Sequence, residues 1–520
     1  MQTHALARTA GLIAVATLLL PVRGSAQDES LRGTAHPTLA IVGVTVIPMD
    51  APGVLRDRTV LVRDGTIVRV GPRADVGVPD GAKVIDGTGR TLIPGLADMH
   101  AHLWRYYYLD LLLANGVTLA RDMAGGPYQL AWRNGVRAGR LTAPRLVVGG
   151  PILEGTPPPA LADAVVNDGK VLVDDSASAA RAVAEQAAAG YDFIKVYNNL
   201  PAAAYAGIIA EARTRGLPVA GHVPFAVGLR GAFQAGQVSI EHLRGYVQLA
   251  VPADAPVQPG ADYASRLVAW RYADTLRLRQ LAGETARAGV WNVPTLIISA
   301  NVLPSDRLHE LTGRDAWTRC MPLAQQNFQQ TRARSPFYAR MTEDDFGAAT
   351  EGIGRNRQLV RALRAAGAGL LAGTDMRPAG FSLHWELEQL VAAGLTPWEA
   401  LETATINPAR FLGEEEHAGS VTEGRRADVV LLDGDPLADI RNSARIASVV
   451  VGGRLIERKE LDGMVERACA RALGTAPAGT SRDDPETRRA TVARAADPGA
   501  VRRARGGPRS VRGHPGNPPR

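Results

Sequence analysis

The chain has 520 residues, 59 Lys+Arg against 52 Asp+Glu, and a formal net charge of +7. Hydrophobic residues make up 46% and charged residues 21%, ordinary proportions for a folded chain, which excludes wholesale disorder. The two Cys, Cys320 and Cys469, are too few for a disulfide framework or a Cys-rich zinc or iron–sulfur site.

In chain order, residues 1–26 read as a secretory signal peptide. Arg8 supplies the positive start, Gly11 to Leu20 an apolar run, and Gly24, Ser25 and Ala26 small residues for cleavage. That run is short of the roughly 20 apolar residues of a membrane span. The expectation is an exported protein, periplasmic or secreted, with no stable membrane insertion. Residues 37–90 then show short β-prone runs, with Asp64-Gly65 between two of them as a hairpin signal. A matching β-rich piece lies at 416–460. Together they predict a small β-sandwich built from both ends of the chain.

Between them, residues 91–415 alternate apolar strand-like runs with Ala-rich helical stretches, the pattern of βαβ units. Candidate strands fall at 91–102, 117–123, 145–150, 193–197, 218–224, 239–243, 290–298 and 369–376. Eight parallel strands with intervening helices predict an α/β fold, a (β/α)8 TIM barrel, whose site lies at the C-terminal ends of the strands. Two connections are long, 151–190 and 299–350, the second a candidate lid. From Arg471 to Arg520 the chain holds eleven Arg against four acidic residues, which accounts for the whole +7. This segment, 471–520, reads as a disordered Arg-rich tail. It has no aromatics for base stacking, so no nucleic-acid partner is expected.

Polar residues sit at the strand ends. His100 and His102 close the first barrel strand, and positions i and i+2 of a strand face the same side. His222 closes the fifth, His242 the sixth and Asp375 the eighth. Core histidines bonded to backbone are the alternative, but convergence of four with an acid favours a metal site. Lys195 lies mid-strand in Phe193-Ile194-Lys195-Val196-Tyr197, in a chain with four Lys. An ion-paired or snorkelling Lys is one reading. The other is a lysine carboxylated by CO₂, a reaction that Arg cannot undergo.

This set, HAH, the strand-four Lys, GHVP, SIEHL and LLAGTDM, resembles the amidohydrolase superfamily in its binuclear-metal branch. Within it, the sequence is similar to secreted imidazolonepropionase-like and prolidase-like members. The resemblance covers about residues 39 to 460. It implies that His100, His102 and Asp375 bind one divalent metal ion and His222 and His242 a second. N-carboxylated Lys195 would bridge the two, and imidazole and carboxylate ligands suit zinc. It further implies hydrolysis of a C–N amide bond, in a dipeptide or N-acyl amino acid, by a metal-bridging hydroxide. Asp375 would be the catalytic base and then acid.

Substrate contacts are expected from Tyr197, Arg244 and His384, with Arg244 suited to clasping a carboxylate. The expected partner is a small molecule or short peptide; a homo-oligomer is left open. Three alternatives stand beside this reading. They are a cyclic-amide hydrolase, a mononuclear deaminase, and a polyanion-binding protein that works through the basic tail.

Overall fold

A computed structural model of the protein describes residues 37–157, 169–299, 341–375 and 379–475. The signal segment 1–26, residues 300–340 of the candidate lid and the tail from 476 lie outside the described residues. So does Cys320; Cys469 is in a disulfide.

The chain opens with β1 (Leu39–Val46), β2 (Leu55–Arg63), β3 (Thr66–Pro72), β4 (Lys83–Asp86) and β5 (Thr91–Pro94). The expected hairpin is there. Arg63 pairs with Thr66, leaving Asp64 and Gly65 as a two-residue turn with φ of 48° and 74°. Two positive φ values define the turn whose twist suits a hairpin, and Gly65 takes its own at no steric cost.

A parallel series follows: β6 (Leu96–Ala101), β7 (Val117–Asp122), β8 (Arg145–Val148), β9 (Leu153–Glu154), β10 (Val171–Leu172), β11 (Ile194–Val196), β12 (Val219–Gly221), β13 (Ser239–Glu241) and β14 (Trp291–Val293). The chain returns through β15 (Val429–Leu432), β16 (Ile446–Val451) and β17 (Arg454–Glu457). These last strands join the first ones in one eight-stranded sheet, ordered β17-β16-β15-β5-β1-β2-β3 with β4 on β1. The two chain ends therefore meet as expected. A shared apolar cluster holds them, with Ile41, Val44, Val60 and Leu92 from one end and Val429, Leu431 and Val450 from the other. Each such buried side chain contributes about 1.5–3 kcal/mol.

The boundary differs from the sequence reading, because residues 91–102 are not one strand. β5 pairs with β1 and β15, while β6 pairs with β7. The chain crosses from one sheet to the other at Gly95.

The parallel strands form two ladders, β6-β7-β8 and β10-β9-β11-β12-β13-β14. A parallel bridge from Gly149 to Phe193 links them on one side. On the other, residues 369–375 run between β14 and β6. Leu370 bridges Asn292, and Met99 N donates to Ala372 O at 2.9 Å. This last segment has no strand of its own, and the expected strand at 290–298 stops at Val293, with helix from Leu296. β9 and β10 lie inside the 151–190 connection, where no strand was expected.

Helices connect these strands. Ser176–Ala189 starts at Asp175, whose carboxylate accepts Ser178 N at 2.7 Å, and buries Ala179, Ala182, Val183 and Gln186. That spacing is the inward stripe of a 3.6-residue helix. The helix Glu343–Ala365 takes in the last residues of the candidate lid, and Arg458–Ala472 includes the first two of the expected tail. Arg471 and Ala472 are therefore helical. Among the described residues no helix is long and apolar enough to cross a membrane.

Candidate metal centre

The C-terminal ends of the parallel strands bring most of the predicted residues to one place. Asp98 and His100 occupy alternate positions of β6, and His102 follows its end. The Asp98 carboxylate accepts His100 N at 3.1 Å, Thr374 N at 3.1 Å and Thr374 Oγ1 at 2.8 Å. This pins β6 to the Gly373-Thr374-Asp375 segment, where Asp375 N donates to His100 O at 2.7 Å. Burial pushes the Asp98 carboxyl up to about 6. A Cβ on Gly373 would lie 2.6 Å from His100 N and 2.5 Å from Val293 Cγ1, so the close approach requires glycine.

The side chains converge on Asp375. His102 Nε2 lies 3.0 Å from Oδ1, and His242 Nε2 and His100 Nε2 lie 3.5 Å and 3.8 Å from Oδ2. Ligand atoms of His100, His242 and Asp375 all fall within 4.8 Å of one another. His222 stands beside them, its ring centroid 4.9 Å from that of His242. Four residues on this rim have positive φ: His242 at 58°, Leu243 at 52°, Thr295 at 48° and Asp375 at 50°. Such backbone costs on the order of 1–3 kcal/mol each outside glycine, and it persists where surrounding contacts enforce it.

Three of the four imidazoles are held from behind. His222 Nδ1 lies 2.8 Å from Asn198 Oδ1, and His242 Nδ1 lies 2.6 Å from Thr295 Oγ1. Thr295 Oγ1 donates to Pro294 O, so towards His242 it accepts. His100 Nδ1 meets Glu241 Oε2 at 2.6 Å. All three Nδ1 atoms therefore carry the proton, which leaves three Nε2 lone pairs facing the site. Lone pairs and a carboxylate converging in a buried space repel one another unless a cation sits between them. The donor set fits a divalent ion bound by imidazole and carboxylate.

Glu241 and its support were missed by the sequence reading. Its Oε1 takes Arg121 Nη2 at 2.9 Å and Ser239 Oγ at 2.6 Å, while Arg121 Nε donates to Met99 O at 2.7 Å. The Arg121 guanidinium lies 5.6 Å and 5.0 Å from the Phe193 and Phe411 ring centroids. Burial raises the Glu241 carboxyl, but Arg121 and His100 together hold it well below the usual carboxylate range. A signal existed in the sequence: Arg121 and Asp122 are two charges ending an otherwise apolar strand. Asp122 Oδ2 and His102 Nδ1 are both buried without a hydrogen-bond partner among the described residues.

Lys195 is 1% exposed in β11. Burial pulls its amine down to about 8, against the upward pull of Glu241 and then Asp375. Tyr197 stacks on His222 with centroids 4.0 Å apart, and burial pushes its hydroxyl up to about 12. Arg244 follows His242, its guanidinium 5.7 Å from the Tyr263 centroid and its Nε buried without a partner. His384 stands apart, and the sequence reading of it as a substrate contact is corrected. Its ring is buried, with Nδ1 2.9 Å from Ser443 Oγ and Nε2 3.1 Å from Asn115 O. Both nitrogens are used in joining the helix Phe381–Ala392 to its neighbours.

Parallel strands that present imidazoles and a carboxylate at their C-terminal ends define an α/β chain with a candidate metal site. The chain belongs to the amidohydrolase family, whose family model matches residues 91–456. Adenine deaminase of Rubrobacter xylanophilus is 38% identical over 81 residues, 15% of this chain and 13% of that one. Ochratoxinase of Aspergillus niger is 33% identical over 99 residues, 18% of this chain and 20% of that one. The chain thus spans a fifth or less of the length of these curated relatives.

Among solved structures, bottromycin amidohydrolase has a TM-score of 0.66 at 26% identity, covering 87% of this chain and 94% of that one. A Xaa-Pro dipeptidase with methionine in its active site has a TM-score of 0.59 at 19% identity, covering 81% and 100%. The A. niger ochratoxinase structure has a TM-score of 0.57 at 20% identity, covering 82% and 96%.

Proposed function

We propose that this protein is a metal-dependent hydrolase of a C–N amide bond, in a dipeptide or N-acyl amino acid. The observation that carries the reading is the pair of imidazoles, His100 and His242, with Nδ1 anchored and Nε2 turned towards Asp375. Family membership and the fold likeness to a Xaa-Pro dipeptidase, bottromycin amidohydrolase and ochratoxinase support it. The parallel strands and residues 369–375 are read as a (β/α)8 barrel, and the shared sheet as a small β-sandwich from both chain ends.

His100, His102 and Asp375 would hold one divalent ion and His222 and His242 another, with Lys195, N-carboxylated, between them. Zinc suits this donor set. Bound there, such ions supply Lewis acidity and make hydroxide available near neutral pH. The chain's own residues do the rest. Asp375 accepts the proton of the attacking water and returns it to the leaving amine. Tyr197 keeps its proton at neutral pH and donates a hydrogen bond to the carbonyl oxygen as charge develops on it. Arg244 clasps a carboxylate on the substrate.

Export of the chain, to the periplasm or outside the cell, remains part of the proposal, and the disulfide at Cys469 supports an oxidising compartment. A second reading, a mononuclear deaminase, is favoured by the compact three-residue cluster His100, His242 and Asp375 and by the partial match to adenine deaminase. The test is a hydrolysis screen of N-acyl amino acids, dipeptides and cyclic amides, with metal content measured on the same sample. Amide cleavage with two ions per chain is the expected result. Ammonia release from a nucleobase with one ion would favour the deaminase, and cleavage of lactones or phosphotriesters alone would overturn both readings.

A further inference from the structure

Two guanidinium groups lie on the connection that follows β13, on the same side as His242. Arg244 and Arg266 share one aromatic ring, their guanidinium carbons 5.7 Å and 5.9 Å from the Tyr263 centroid. Arg266 also lies 5.2 Å from the centroid of Phe225, which follows β12. It is 7% exposed. Its Nη1 donates to Gly260 O at 3.1 Å and to Ala261 O, while its Nε is buried without a partner. Arg244 Nε is likewise buried and unpartnered.

No carboxylate among the described residues lies within ion-pair distance of either group. Asp262, the acid nearest in sequence to Arg266, is used as a helix cap, accepting Ser265 N at 2.8 Å and Ser265 Oγ at 2.5 Å. The two cations feel each other: burial, and then Arg244, pull the Arg266 guanidinium down to about 9. Both also act on the Tyr197 hydroxyl, whose ring stacks on His222.

Aromatic faces offset part of the cost of burying such charges, but two neighbouring cations without a counterion remain expensive. One substrate carboxylate on the Arg244 fork would still leave Arg266 uncompensated. We infer that Arg244 and Arg266 form a two-guanidinium subsite that selects a substrate with two anionic groups: an amide whose amine half is an acidic amino acid. Arg244 takes one carboxylate and Arg266 the other, with Tyr263 as the spacer between them. Arg266 then determines specificity for the acidic side chain. This inference rests on the amide-hydrolase reading above.

The test compares N-acetyl-glutamate, N-acetyl-glutamine and N-acetyl-leucine as substrates of the metal-loaded wild type, Arg266→Gln and Arg266→Lys. Calorimetric titration of the same three compounds into Asp375→Asn protein accompanies it. The expected kcat/KM for the glutamate compound exceeds that for glutamine by about tenfold or more, because a site built for a charged group penalises its absence. The difference should sit in KM and shrink with added salt. Arg266→Gln should remove the preference and Arg266→Lys retain part of it, which separates lost charge from lost folding. Equal kcat/KM for the two compounds in wild type, or a preference that survives Arg266→Gln, would overturn the inference. If none of the three is hydrolysed, the amide reading is decided by the wider screen above, and calorimetry still decides the subsite. Glutamate-compound binding no tighter than that of its glutamine counterpart sinks it.

Discussion

Glu241 Oε2 lies 2.6 Å from His100 Nδ1, and the same carboxylate takes Arg121 Nη2 at 2.9 Å, with all three side chains almost without exposure. The pairing fixes the His100 tautomer and cancels the charge of a buried guanidinium. A carboxylate behind a metal-ligating imidazole typically contributes about 10–100-fold in metal affinity. Glu241→Gln should therefore weaken metal retention by that factor and destabilise the fold by about 3–5 kcal/mol, because Arg121 loses its counterion. Competition with a chelator, beside a thermal melt, reads both. Unchanged metal affinity would remove Glu241 from the site.

Asp375 is approached by three imidazoles and is the acid proposed to carry the proton. Burial works to raise its carboxyl, but His102 and His100 hold it far below the usual carboxylate range. Asp375→Asn should lower kcat by about 10²–10⁴-fold, the scale of a lost general base, while part of the metal remains bound. Turnover near the wild-type rate in a sample shown to hold metal would refute the assignment.

Lys195 gives a pH-dependent prediction. Its amine falls from 10.5 to about 8 on burial, so the fold prefers the neutral form. The unfolded chain binds more protons between those two values. This group's contribution to stability is therefore full above 10.5, and is lost as pH falls through about 8. The neutral amine is also the form that reacts with CO₂. Mass spectrometry of metal-free protein in bicarbonate should show uptake of one CO₂ that rises with pH through that region. Lys195→Arg should abolish it. Uptake independent of pH, or persisting in Lys195→Arg, would place the modification elsewhere.

Gly373→Ala tests the close approach of the Gly-Thr-Asp segment to β6. The added methyl would press on His100 N and Val293 Cγ1, and overpacking of this kind costs about 1–3 kcal/mol. Because the displaced group is a neighbour of Asp375, metal retention should fall together with the melting temperature. A loss of stability without a loss of metal would separate the two.

Much of the candidate site is legible in the sequence because strand geometry is local. His100 and His102 two apart share a face by the pleat alone, and His222, His242 and Asp375 are polar residues closing apolar runs. Glu241 escaped for a local reason too. Alternation puts neighbouring residues on opposite faces, which reads Glu241 away from the site if His242 faces it. The left-handed backbone at His242 and Leu243, with φ of 58° and 52°, breaks that alternation, and a one-residue pattern cannot foresee it. His384 was misread for the converse reason, since a His near the last strand end looks like a substrate contact until Ser443 and Asn115 are seen to hold both nitrogens.

By itself, the amino-acid sequence determined most of the candidates for the chemistry, because the type of residue and its place at a strand end are properties of short segments. It determined the α/β class, the hairpin at Asp64-Gly65 and the joining of the two chain ends, since these follow from apolar periodicity and turn chemistry. Only the tertiary structure decided what stands behind each imidazole. It also decided where β5 parts from β6, and that Arg244 and Arg266 meet over Tyr263. Those relationships are distances between residues tens or hundreds of positions apart, set by how strands and connections pack rather than by any local pattern.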